Sequence, residues 1–120
     1  PYSDFGRLAM ELWRACRLVV DTGIHTKKWT REQGIAYYVE NTPNAESDAI
    51  KMVERHIVMP SQATAYKIGM LKILELRQQA KQQLGDKFDI RDFHTLILKN
   101  GPLPLDVLET KVNQWVKSVK

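Results

Sequence analysis

Apolar residues recur at helical spacing from one end of the chain to the other, and no alternating run is long enough to argue for a strand. Near the start Phe5, Leu8, Leu12, Cys16 and Val19 form one stripe while Met10, Trp13, Val20 and Ile24 form another, with Ser3 or Asp4 available as N-cap. A helix apolar on more than one side belongs in the middle of a bundle. The pattern breaks between Gly23 and Trp29, and Thr30-Arg31-Glu32-Gln33 then reads as a capping box that opens a short helix with Ile35, Tyr38 and Val39 inward, ending near Asn41.

Thr42, followed by Pro43 as first helical residue, or Asn44 can start the next helix, whose buried face would be Ile50, Val53 and Ile57 before Pro60 closes it. The longest helix is expected over residues 61–84. Its first half is apolar nearly all round (Ala65, Tyr66, Ile68, Met70, Leu71, Ile73, Leu74, Leu76) and is expected to be deeply buried. Its second half (Arg77, Gln78, Gln79, Lys81, Gln82, Gln83) is expected to lie along the surface, with Gly85 as C′ residue. Asp89 can cap a helix carrying Ile90, Phe93 and Ile97 that Asn100-Gly101-Pro102 stops. A last helix holds Leu105, Leu108, Val112, Trp115 and Val119 as a core seam or a short coiled-coil contact. The fold expected is all-α, a compact bundle of five or six helices in a single domain over residues 1–120, without a linker or an internal repeat.

The 120 residues carry 18 Lys and Arg against 14 Asp and Glu, and the basic residues are dispersed, so neither a basic stripe with interleaved aromatics nor a nucleic-acid recognition motif is present. Nucleic acid is therefore not an expected partner. No apolar run approaches a membrane span and none follows a basic start as in a signal peptide. The chain opens at Pro1 directly before a strongly patterned helix, which reads as the C-terminal fragment of a longer, larger helical protein whose remainder would be its partner. The apolar faces left over predict self-association, a homo-oligomer, or poor stability as a monomer.

Cys16 lies in an apolar stripe and reads as a buried structural thiol. His25, His56 and His94 have no metal-ligand spacing, so no cofactor and no metal is expected in this chain. The sharper feature is a polar column: Arg17, Asp21 and His25 stand at i, i+4 and i+8 if the helix continues through Gly23. Asp21 could then accept from both Arg17 and His25 and leave one imidazole nitrogen for a ligand. The alternative is a satisfied buried ion pair that ties helices together. Gln62, Tyr66 and Gly69 make a second column directly after Pro60, where the Tyr66 hydroxyl could donate to a developing oxyanion or simply be satisfied within the core. The two columns are expected to face the same hollow.

These residues also carry a resemblance. The run from Arg17 through Val20-Asp21-Thr22-Gly23-Ile24 to His25 is the first of an ordered series of motifs. It continues with Trp29-Thr30-Arg31-Glu32-Gln33, Glu40-Asn41-Thr42-Pro43, Glu54-Arg55, and Pro60 through Gln62-Ala63 to Ala65-Tyr66-Lys67-Ile68-Gly69. Leu74-Glu75-Leu76-Arg77, Gly85-Asp86-Lys87-Phe88-Asp89, Phe93-His94 and Asn100-Gly101 to Pro104-Leu105 complete it. Together they resemble the C-terminal portion of the bacterial domain of unknown function 885 family. The resemblance implies a much longer, helical, bacterial protein similar to metallopeptidases of the thermolysin-like superfamily, with a zinc site upstream of the matched region and a periplasmic or cell-envelope location. It implies that this part is inactive alone and contributes one wall of a peptide substrate cleft, with His25 and Tyr66 as catalytic residues and Arg17, Asp21 and Gln62 as substrate-binding residues. The chain departs from the family pattern at His56 and Met59, where aromatic residues are expected, and at Ser61, where glycine is. A helical interaction module without catalysis is the competing reading.

Overall fold

A computed structural model describes all 120 residues. It contains six α-helices and no strand: α1 Tyr2–Lys27, α2 Arg31–Asn41, α3 Glu46–Val58, α4 Gln62–Leu84, α5 Ile90–Lys99 and α6 Leu105–Val119, with a 3-10 turn at Gly85–Lys87. The backbone divides into two compact units, Pro1–Ile68 and Gly69–Lys120, with the division falling inside α4.

In the first unit α1, α2 and α3 pack against one another around Trp13, Cys16, Val20, Ile35, Tyr38, Ala49 and Val53. Gly34 sets the spacing. A Cβ there would lie 3.2 Å from both Val20 Cγ1 and Val53 Cγ2, so the missing side chain lets α2 settle against the other two helices. The break expected after Gly23 does not occur. α1 runs on to Lys27 and closes with Lys28 at φ 57° and the Trp29 N–H donating to the Gly23 carbonyl at 3.0 Å. This bond satisfies a carbonyl of the last turn. Gly23 is required by what lies on it, since a Cβ would meet the Trp29 ring at 2.5 Å.

Two boundaries differ from the sequence expectation. α1 starts at Tyr2 with Pro1 as N-cap and no side-chain cap, so neither Ser3 nor Asp4 fills that role. Thr30 and Gln33 do form the capping box of α2. Thr42 does not open α3; its hydroxyl donates back to the Tyr38 carbonyl at 2.8 Å and finishes α2, and α3 begins after Ala45 without a side-chain cap. Ile35, Tyr38 and Val53 are buried as expected, but two positions of the inward faces are not. Val39 and Ile57 are exposed, and the buried places beside them belong to Tyr38 and His56.

In the second unit Leu76, Ala80 and Leu84 form one line along α4 and pack with Phe93, Leu108, Val112 and Val116. The seam of α6 is therefore core. Asp89 caps α5 by accepting from the Arg91 N–H, and Gly85 takes φ 54° after the last turn of α4. The expected burial along α4 is corrected. Tyr66, Ile68 and Leu71 are exposed in its apolar first half, where only Leu76 of the residues expected inside is buried, whereas Ala80 and Leu84 are buried within its polar half. Burial follows the line i, i+4, i+8 that has a neighbour to meet, and the average polarity of a segment does not specify that line. The first half of α1 likewise leaves Tyr2, Phe5, Leu8, Met10 and Leu12 exposed.

Candidate functional site

Because α1 continues through Gly23, Arg17, Asp21 and His25 do share one face, and the chain returns at residues 59–64 to meet it. Asp21 is 2% exposed and its carboxylate is fully engaged. Oδ1 accepts from the Ser61 N–H at 3.1 Å, and Oδ2 accepts from the Thr64 N–H at 3.0 Å and the Thr64 hydroxyl at 2.8 Å. An aspartate forty residues away in sequence thus caps α4. Burial pushes its carboxyl up, but the bonds from Thr64 and Ser61 outweigh that and hold it below the usual carboxylate range. The geometry differs from the one expected for Asp21 as acceptor for both Arg17 and His25.

His25 directs Nε2 at the His56 carbonyl, 2.7 Å away, and that nitrogen lies 3.7 Å from Asp21 Oδ1. A carbonyl only accepts, so Nε2 carries the proton, and in the neutral ring Nδ1 is left with its lone pair. The His56 carbonyl belongs to the last turn of α3, where a donor is needed. His56 itself is 1% exposed and meets the Tyr38 hydroxyl at 2.7 Å. Burial, followed by the charge of Arg17, lowers its pKa to about 4, so the ring is neutral near pH 7 and its Nε2 shares a hydrogen bond with the Tyr38 hydroxyl. Burial also raises the Tyr38 hydroxyl above its ordinary range, which keeps that proton in place.

Arg17, 4% exposed, reaches Gln62 Oε1 with Nη2 at 3.0 Å and the thioether sulfur of Met52 with Nη1 at 2.9 Å, while Nε has no partner. Gln62 in turn donates from Nε2 to the Tyr66 hydroxyl at 3.0 Å. The Tyr66 ring receives two guanidinium groups, with Arg14 Cζ 4.1 Å and Arg17 Cζ 5.2 Å from its centroid. No carboxylate forms an ion pair with Arg14 or Arg17. Burial and the charges of Arg14 and Arg55 depress the Arg17 pKa, opposed by Tyr38 and Tyr66, yet a guanidinium stays protonated. Tyr66 is 46% exposed, and with Gln62 on its lone pair its own proton is uncommitted.

The structure therefore joins the two sequence columns through Arg17, Gln62 and Tyr66 and through Asp21 to the start of α4. It also shows residues that the sequence reading passed over. Arg14 carries no pattern of its own, Met52 is an unremarked apolar residue of α3, and Thr64 and Ser61 contribute backbone N–H groups invisible to any motif. Tyr38 and His56 are the buried pair behind the column. His94 takes no part in it, being an exposed residue of α5 beside Phe93 in the second unit. No group of three or more His, Cys, Asp or Glu side chains is placed to hold a metal ion. No helix is long and apolar enough to cross a membrane.

No curated protein matches the chain. Among solved structures, one described as "the putative lipoprotein from Colwellia psychrerythraea" is 56% identical, with a TM-score of 0.96 over 98% of this chain. The chain spans 20% of the length of that protein. A family model described as bacterial protein of unknown function (DUF885) matches residues 1–112. With its ordered motifs, its first five helices and the α1 column all falling within that match, the chain belongs to the DUF885 family of bacterial proteins.

Proposed function

We propose that these residues form one wall of a peptide-binding cleft in a metallopeptidase-like hydrolase, with the remainder of a longer chain supplying the metal ligands and the general base. The observation that carries this reading is the Tyr66 hydroxyl: half exposed, with its lone pair held by Gln62 and its proton free to donate. A hydroxyl oriented in this way suits a developing oxyanion, where preorganised donors act most strongly. His25 would act beside it, its Nε2–H fixed on the His56 carbonyl and its Nδ1 available to accept from a substrate N–H. Arg17 and Gln62 would bind substrate, and Asp21 would serve by holding the start of α4, and so Gln62 and Tyr66, against α1. Zinc, if the longer protein uses it, would be bound by residues outside this chain, and no step here passes through it. The lipoprotein description of the Colwellia protein supports a cell-envelope location.

The test is peptide hydrolysis by the longest natural chain that contains this sequence. Tyr66→Phe should lower kcat by about 10²-fold or more, the usual effect of removing one oxyanion donor, while leaving thermal stability within a few degrees. His25→Gln should reduce turnover with the fold retained. No hydrolysis of any peptide by the wild type, or unchanged kcat in Tyr66→Phe, defeats the reading.

One observation favours a second reading, a helical interaction module. Tyr2, Phe5, Leu8, Met10 and Leu12 leave the first half of α1 with an apolar surface that water contacts directly, the kind of face that partners cover. Sedimentation of the chain at micromolar concentration separates a self-associating species, which this reading expects, from a monomer.

A further inference from the structure

Arg17 presents an unfinished interaction. A guanidinium removed from water needs an anion or a full set of acceptors to offset its lost hydration. Arg17 has one amide oxygen, one thioether and the face of a tyrosine, and its Nε meets nothing. None of these partners carries a charge, and the thioether is a weak acceptor. Arg14 stands over the same ring from the outer side, partly exposed and without a carboxylate of its own. Both guanidinium groups are held at the ring of Tyr66, whose hydroxyl proton is uncommitted, and neither has an ion-pair partner.

We infer that Arg14, Arg17, Gln62 and Tyr66 form a subsite for the carboxylate of a peptide ligand. The inference rests on the peptide-cleft reading and names the group that the cleft would hold. A carboxylate would replace the Gln62 oxygen on Arg17 and accept from Arg14 and the Tyr66 hydroxyl, so that the guanidinium donors would meet an ionised acceptor in place of a neutral amide oxygen. A singly charged, planar group fits better than a phosphate. The backbone N–H groups at the start of α4, where a phosphate would gain most, are already taken by Asp21, and the negative charge of Asp21 beside Gln62 opposes a dianion.

The experiment uses the longest natural chain containing this sequence and three probes: acetyl-dialanine with a free carboxylate, the same compound as its C-terminal amide, and inorganic phosphate. Calorimetric titration should show the free acid binding about 10- to 100-fold more tightly than the amide, the range expected for charge-assisted bonds, with phosphate a weak competitor. Arg17→Gln should bring acid and amide within threefold of each other. Should that variant fail to fold, Arg14→Gln, at a partly exposed position, should narrow the gap by several-fold. The inference is overturned if the acid does not bind at millimolar concentration or binds no better than the amide. It is equally overturned if the selectivity persists in a folded Arg17→Gln or in Arg14→Gln, or if phosphate competes as well as the acid does. Acid selectivity without any peptide hydrolysis leaves the subsite standing and removes the hydrolase reading. Hydrolysis that ignores the free carboxylate does the reverse.

Discussion

Asp21 offers the most direct test of how the site is held together. Its two oxygens take three donors from the start of α4, two of them backbone N–H groups that no residue of α4 itself satisfies. In Asp21→Ala all three donors lose their acceptor. At about 1–3 kcal/mol for each abandoned buried donor, reduced because Ser61 is exposed and water can reach it, the loss should be about 2–4 kcal/mol. Asp21→Asn keeps the shape and one oxygen, but its amide group must face a donor with a donor, so roughly 1–2 kcal/mol is expected. The two variants should also differ from wild type in acid. The folded-state carboxyl of Asp21 titrates below its unfolded value, so its contribution is fully present above that unfolded value, near 3.8, and is lost as pH falls through the lower, folded one. Wild type should therefore lose stability below about pH 4 by an amount that Asp21→Asn does not. Urea denaturation at pH 7 and pH 3, with hydrogen exchange of the Ser61 and Thr64 amides, measures both effects. An Asp21→Asn chain within 0.5 kcal/mol of wild type (about the scatter of surface substitutions), or one with the same acid loss, would refute the capping role.

A second pH window belongs to His56. Its folded pKa of about 4 lies below the unfolded 6.5, so stability should fall by roughly 3 kcal/mol from pH 7 to below 4, at 1.36 kcal/mol per unit, and NMR should show its ring titrating near 4. Ser61 holds φ 68°, where a side chain costs about 1–2 kcal/mol and glycine none, so Ser61→Gly should stabilise by about 0.5–1 kcal/mol after the entropy of glycine is counted; a lowered denaturation midpoint would contradict this. Gly23→Ala should destabilise by about 1–3 kcal/mol despite better helix propensity, because its Cβ would overlap the rigid Trp29 ring, and Trp29 fluorescence should shift as the ring is displaced.

The helical character of the whole chain was legible in its sequence, because helical spacing of apolar residues is a local property that each segment carries by itself. The Thr30 to Gln33 capping box and the Asp89 cap were legible for the same reason, each being a bond between residues at most three apart. The ordered motifs also placed the chain in its family, and Arg17, Asp21, His25, Gln62 and Tyr66 stood out as polar residues on apolar helices. Which atoms these residues meet was decided by tertiary structure alone. Asp21 passes over Arg17, four residues away, for N–H groups forty and forty-three residues distant, because the return of the chain at Ser61 delivers donors that a sequence pattern does not display. His56 is buried in place of Ile57 because the Tyr38 hydroxyl waits inside for an acceptor, and an isolated α3 gives no sign of it. Gly23 reads as a helix break until Trp29 folds back upon it. Periodicity specifies which faces of a helix can be buried; only packing selects the one that is, since burial and hydrogen bonding depend on a neighbour whose approach is fixed by the rest of the chain.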